Sequence, residues 1–179
     1  EILQLQHQGE VDMLEETYLK IISAKTAELF AASTKVGAIL SDMKNKEKEA
    51  LEFYGRNLGL TFQIADDTLD YNSELKLFGK KIGQDFFEGK ITLPIILLFQ
   101  KANNQEKEKL KNIFSKDVRD KDDLHYSLSL IKRYDVIKAC YQKADHYINL
   151  ASNALTLFND SEEKRILENL TSFSLTRNF

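Results

Sequence analysis

Gln63, Asp66, Asp67 and Asp70 stand at i, i+3, i+4 and i+7 in the segment GLTFQIADDTLDY. That spacing puts all four side chains on one face of a helix. Leu58, Phe62, Ala65 and Leu69 form a neighbouring apolar stripe, so the acidic face runs beside the core. Carboxylates this close repel by roughly 0.2–0.5 kcal/mol per like-charged i,i+4 pair on an exposed helix, and by more when partly buried. No Lys or Arg stands three or four residues from any of the three aspartates, so the helix does not neutralise its own charge. A cation from elsewhere is implied. Clustered carboxylate oxygens suit a hard ion such as Mg²⁺, which keeps several waters and bridges to phosphates. The same pattern also occurs on solvated acidic faces, and the motif alone leaves both readings open.

Leu14, Tyr18, Ile21, Ile22, Leu29, Ala32, Val36 and Ile39 recur at helical spacing and predict a core stripe, and Lys25 lies on it, three residues after Ile22 and four before Leu29. An ammonium there must reach water or find an anion, because an unpaired buried charge is costly. It is either a snorkelling or salt-bridged lysine or one held for a phosphate, with the Thr26 hydroxyl beside it. Lys80 and Lys90 pose the same choice in a segment that carries Gly79, Gly83 and Gly89, residues that let a backbone approach a ligand closely. His7, His125 and His146 are scattered and no Cys-His motif occurs, so covalent nucleophilic catalysis has no visible machinery.

The elements that must position these residues are helices. Seven Gly and one Pro in 179 residues, with Leu, Lys, Glu, Ala and Ile at 3.6-residue spacing, predict helices over about 13–42, 46–72, 93–114 with a break near Asn103, 122–132, 134–158 and 161–176. Residues 1–8 read as the tail of an earlier helix, and no strand is expected. The glycine-rich loop ends at Thr92-Leu93-Pro94, where Thr is placed to cap and Pro to open the next helix.

At 42% hydrophobic content the chain is long enough for one sizeable core. With 25 Lys plus Arg against 28 Asp plus Glu, the net charge of -3 gives no reason to expect nucleic acid. The longest nearly apolar run, Ile91 to Phe99, is broken by Thr92 and Pro94 and is far shorter than the ~20 residues of a membrane span. The single cysteine, Cys140, reads as core packing in a reducing, cytoplasmic setting. The chain begins with Glu1 and shows no charged-then-apolar leader, so the start reads as a cut.

Phe62 to Asp70 resembles the second aspartate-rich motif, F-Q-x-x-D-D-x-x-D, of the trans-isoprenyl (polyprenyl) diphosphate synthases. ISAKTAELF, with Lys25 and Thr26, resembles that family's Lys-Thr motif, and GKKIGQDFFEGKITLP is similar to the loop after the acidic motif. Order and spacing agree along essentially the whole chain, and EETYLKIISAKTAELF and EILQL look most like the octaprenyl-type members.

The resemblance implies an all-α, isoprenoid-synthase-type helical bundle around a central cavity, with its N-terminal helices missing. Residues 1–179 would be the C-terminal portion of a single polyprenyl synthase domain. It implies head-to-tail condensation of isopentenyl diphosphate with an allylic diphosphate, giving a long-chain trans-polyprenyl diphosphate of octaprenyl type, a quinone side-chain precursor. Asp66 would bind Mg²⁺ directly, with Asp67 and Asp70 binding it directly or through its water; Lys25, Lys80 and Lys90 would hold the diphosphate; Gln63 and Thr26 would present oxygens to the cationic carbon. A homodimer, or a heterodimer with an N-terminal half, is the implied assembly. The family's earlier D-D-x-x-D is absent, and Asp122-Asp123 comes too late in the chain to replace it. The alternative is therefore a non-catalytic helical subunit or degenerate remnant that pairs with another synthase chain.

Overall fold

The computed structural model describes residues 2–72 and 82–175, and every regular element among them is helical. In order they are α1 (Ile2–Gln6), α2 (Glu15–Ile22), a π-helical turn (Ser23–Ala27), α3 (Glu28–Leu40), α4 (Asn45–Leu69), α5 (Gln84–Glu88), α6 (Leu93–Lys101), α7 (Asn104–Phe114), α8 (Lys121–Arg133), α9 (Val136–Ala154), a 3₁₀ turn (Leu155–Leu157) and α10 (Glu162–Leu175). The expected helices are all present. The break near Asn103 is a capping box, in which the Asn103 side chain accepts from the Glu106 amide and Glu106 accepts from the Asn103 amide. Asp120 and Asp123 make the same box at the head of α8.

Two compact units partition the chain. One comprises Glu1–Ile21 and Asp66–Tyr141; the other comprises Ile22–Ala65 and Gln142–Asn178.

In the first unit, α6 is the central element: Leu93, Pro94, Ile95, Ile96, Leu97 and Leu98 are all buried. Pro94 opens this helix as the sequence predicts, but Thr92, although it occupies the N-cap, makes no capping hydrogen bond with its side chain. Phe86 and Phe114 pack edge to face at 5.2 Å, joining α5 to α7 in the same core. The short helix α5 lies inside the segment expected to be loop, bracketed by Gly83 and Gly89 in left-handed conformation (φ 83° and 74°), which glycine adopts without strain.

In the second unit, Tyr54, Leu58, Ala151 and Leu155 form a buried cluster against which Phe30, Leu51, Phe158 and Leu167 pack. Here α4 nests closely on the turn before α3. A Cβ on Gly59 would lie 2.6 Å from the Ala27 Cα, and one on Gly55 would lie 2.5 Å from the Phe30 carbonyl oxygen. The Thr34 hydroxyl closes the contact by donating to the Leu51 carbonyl at 2.6 Å.

The expected stripe along residues 13–42 is corrected by the π turn. Tyr18, Ile21 and Ile22 are buried, but burial then resumes at Ala27, Ala31 and Ala38, while Leu29 (73% exposed), Val36 and Ile39 face outward, as does Leu14 ahead of the helix. The step from Ile22 to Ala27 is five residues, not four. One inserted residue in a π turn rotates everything after it by about 100° around the axis. Lys25, expected on the buried stripe, is consequently exposed.

Candidate functional site

The acidic motif occupies the last turns of α4 and the residue just beyond it. Its three carboxylates have different surroundings. Asp66 is half-buried. Asp67 is only 5% exposed, and the Tyr18 hydroxyl, itself buried, donates to its Oδ2 at 2.7 Å. Burial and then the Asp67 charge push the Tyr18 phenol well above its ordinary value, so it remains a donor. Asp70 turns toward the N-terminus of α5, where its Oδ1 accepts the Gln84 amide at 3.0 Å and its Oδ2 accepts the Asp85 amide at 2.9 Å. The Asp70 carbonyl also accepts the Gly83 amide, at 2.9 Å. The compensation that the sequence assigned wholly to a cation is thus supplied in part by neutral donors.

Lys90 follows α5 directly. Its ammonium pairs with Glu88 at 2.6 Å and with Asp85 at 3.3 Å. Burial works against its charge, but these two carboxylates outweigh burial and hold Lys90 above the ordinary lysine range. Asp70 and Lys90 are therefore brought to the two sides of one short helix. Lys80 lies outside the described residues.

Lys25 and Thr26 belong to the π turn, and π turns recur at functional positions because they aim side chains where a regular helix does not. The Thr26 hydroxyl donates to Gln63 Oε1 at 2.7 Å. The close approach of Gly59 to Ala27 makes that contact reachable, and it fixes the amide of Gln63 while leaving the lone pairs of Thr26 Oγ1 open to further donors.

Sequence reasoning missed Tyr18 and Asp85. A phenol on an otherwise aliphatic stripe was a legible sign, since a buried tyrosine hydroxyl needs an acceptor. Asp85 had no such sign. Nearby, Tyr71 Oη and Thr92 Oγ1 are buried without a hydrogen-bond partner. Cys140 is fully buried and its thiol is pushed up to about 12 by burial, in line with a packing role.

Among the described residues, no three His, Cys, Asp or Glu side chains form a ready metal cage. Magnesium does not require one, because it is commonly held by one or two carboxylates and completed by water and substrate phosphate oxygens. The donors here are carboxylate oxygens, the hard ligands that such an ion takes. The donor set fits such an ion.

Residues 1–131 match the polyprenyl synthetase family model. The chain is 34% identical over 93% of its length to a short chain isoprenyl diphosphate synthase of Methanothermobacter thermautotrophicus, and covers 51% of that protein. Its fold matches the crystal structure of a decaprenyl diphosphate synthase from Rhodobacter capsulatus with a TM-score of 0.92 at 32% identity, over 99% of this chain and 55% of the other. A polyprenyl synthase from Caulobacter crescentus CB15, complexed with calcium and isoprenyl diphosphate, matches with a TM-score of 0.92 at 36% identity, over 99% and 54% of the two chains. The chain therefore spans about half the length of these relatives. The all-helical fold, the F-Q-x-x-D-D-x-x-D turn and the family match agree: this chain belongs to the polyprenyl synthetase family.

Proposed function

We propose that the chain is the C-terminal portion of a Mg²⁺-dependent trans-polyprenyl diphosphate synthase, which joins isopentenyl diphosphate head-to-tail to an allylic diphosphate. The observation that carries this reading is the acidic turn Asp66–Asp70 linked through Asp70 to the helix that leads to Lys90. Family membership supports the reaction class. The octaprenyl-type product is the finer part of the proposal; relatives span short-chain to decaprenyl synthases.

Asp66 and Asp67, with Asp70 through water, would hold the divalent ion. When bound, that ion supplies positive charge to the departing diphosphate. Lys25, Lys80 and Lys90 would be diphosphate-binding residues; the Lys90 ammonium would exchange part of its contact with Asp85 and Glu88 for phosphate. The Thr26 and Gln63 oxygens are dipoles already oriented by their mutual hydrogen bond, and such preorganised dipoles stabilise developing positive charge without rearrangement. The proton lost from the isopentenyl unit would leave with diphosphate. A homodimer and a cytoplasmic setting belong to the same reading.

The second reading is a non-catalytic helical subunit or degenerate remnant that pairs with another synthase chain. Incubating the purified chain with Mg²⁺, isopentenyl diphosphate and farnesyl diphosphate separates the two. Longer prenyl products from this chain, abolished by Asp66→Asn, uphold the first reading. Products that arise only with a co-expressed chain bearing the earlier D-D-x-x-D uphold the second. No product in either case overturns the assignment of activity.

A further inference from the structure

Tyr18 and Asp67 are separated by 49 residues in sequence, yet their side chains meet inside the core at 2.7 Å. Tyr18 is 2% exposed and Asp67 5%, so the contact is made away from water. The phenol belongs to α2 and is buried, as are Ile21 and Ile22 later in that helix. A hydroxyl anchored in this way presents its proton in a fixed direction.

The type of donor is informative. Lys90 meets Asp85 and Glu88 with a full positive charge and so cancels charge where it pairs. Tyr18 meets Asp67 with a neutral hydroxyl. It satisfies an oxygen of a buried carboxylate, which otherwise carries a large desolvation cost, yet leaves the negative charge of that carboxylate in place for a cation. Neutral outer-shell donors of this kind orient ligands at metal centres, and their loss commonly weakens metal affinity by about 10–100-fold.

We propose that Tyr18 is a positioning residue of the acidic site, holding the Asp67 carboxylate in a fixed orientation toward a divalent ion carrying diphosphate. This rests on the reading of Asp66–Asp70 as a metal and diphosphate site. Tyr18 touches neither the ion nor the substrate; it acts through Asp67. Tyr71 is the natural comparison, since it is an equally buried phenol with no hydrogen bond from its hydroxyl to Asp66, Asp67 or Asp70.

The test measures Mn²⁺ binding to the full chain in the presence of inorganic pyrophosphate, by the electron paramagnetic resonance of free Mn²⁺, alongside thermal melting. Tyr18→Phe is expected to weaken Mn²⁺ binding by ~10-fold or more. Asp67→Asn is expected to weaken it at least as much, the double variant no more than Asp67→Asn alone, and Tyr71→Phe not at all. A Tyr18→Phe protein that melts earlier but binds Mn²⁺ like the wild type has lost only a structural tie, and that result overturns the proposal. Equal losses in Tyr18→Phe and Tyr71→Phe overturn it as well. If Tyr18→Phe does not fold, 3-fluorotyrosine at position 18 keeps the ring and makes the hydroxyl more acidic; a shifted Mn²⁺ affinity upholds the proposal and an unchanged one overturns it. Failure of the underlying reading has a different signature: wild-type chain that binds no Mn²⁺ with pyrophosphate, or Asp66→Asn that binds like wild type, removes the metal site itself and Tyr18 with it.

Discussion

The carboxylate of Asp70 accepts the backbone amides of Gln84 and Asp85 at one end of α5, while the guanidinium of Arg119 donates to the carbonyls of Phe86 at 2.8 Å and Phe87 at 3.3 Å at the other. A helix of five residues has almost only terminal amides and carbonyls, and those need partners from outside. An anion at the amide end and a cation at the carbonyl end are the charges that such a helix favours. Asp70 thus does more than contribute to an acidic patch: it fastens the segment that carries Asp85 and Lys90.

Arg119 is buried and also donates to the Lys116 and Phe114 carbonyls. Burial lowers its affinity for the proton, but the guanidinium stays charged. Arg119→Met is expected to leave carbonyls in the core without donors and to cost about 2–4 kcal/mol, given 1–3 kcal/mol for each buried group left unsatisfied. A urea unfolding midpoint equal to that of the wild type would show that water replaces the guanidinium.

The approach of α4 to the π turn predicts opposite effects for two Gly→Ala changes. At Gly59 the added Cβ meets backbone, the Ala27 Cα at 2.6 Å, and the helices must move apart at a cost of about 1–3 kcal/mol. At Gly37 nothing lies within 4 Å, so alanine is expected to be neutral or to stabilise by up to ~1 kcal/mol through helix propensity. Melting temperatures that move in the same direction for both would refute the packing argument.

Glu106 predicts part of the acid sensitivity. The Tyr134 hydroxyl first, then the Asn103 amide and the Arg133 charge, hold its carboxyl below the ordinary glutamate range. A depressed folded-state value means that the stabilisation is fully present above the unfolded value of about 4.3 and is lost as pH falls through the folded-state value beneath it. Glu106→Gln is expected to be less stable than wild type at pH 7, with the two curves converging below about pH 4. Urea midpoints recorded from pH 7 down to pH 3 measure this, and parallel curves would contradict it.

Much of this was legible in the sequence because it is local. Helix positions follow from 3.6-residue spacing, the break at Asn103 from a capping box only four residues long, and the shared face of Gln63, Asp66, Asp67 and Asp70 from their offsets on α4. The motifs that mark the family are likewise short stretches of contiguous chain. The Lys25 stripe failed for a local reason of another kind: spacing arguments assume a constant turn, and the π turn at Ser23–Ala27 breaks that assumption without any Pro or Gly to announce it.

What each carboxylate does was decided only by folding. The Tyr18 hydroxyl reaches Asp67 across 49 residues, and the partners of Asp70 lie 14 and 15 residues downstream, beyond a segment with no periodicity to read. The sequence by itself determined that three negative charges share the end of one helix and that the chain is helical around them, since both follow from residue offsets. Tertiary structure alone decided which of those charges is buried against a phenol, which one caps a neighbouring helix and where Lys25 faces. Hydrogen bonds and desolvation act through space over a few ångströms, and separation along the chain carries no information about that distance.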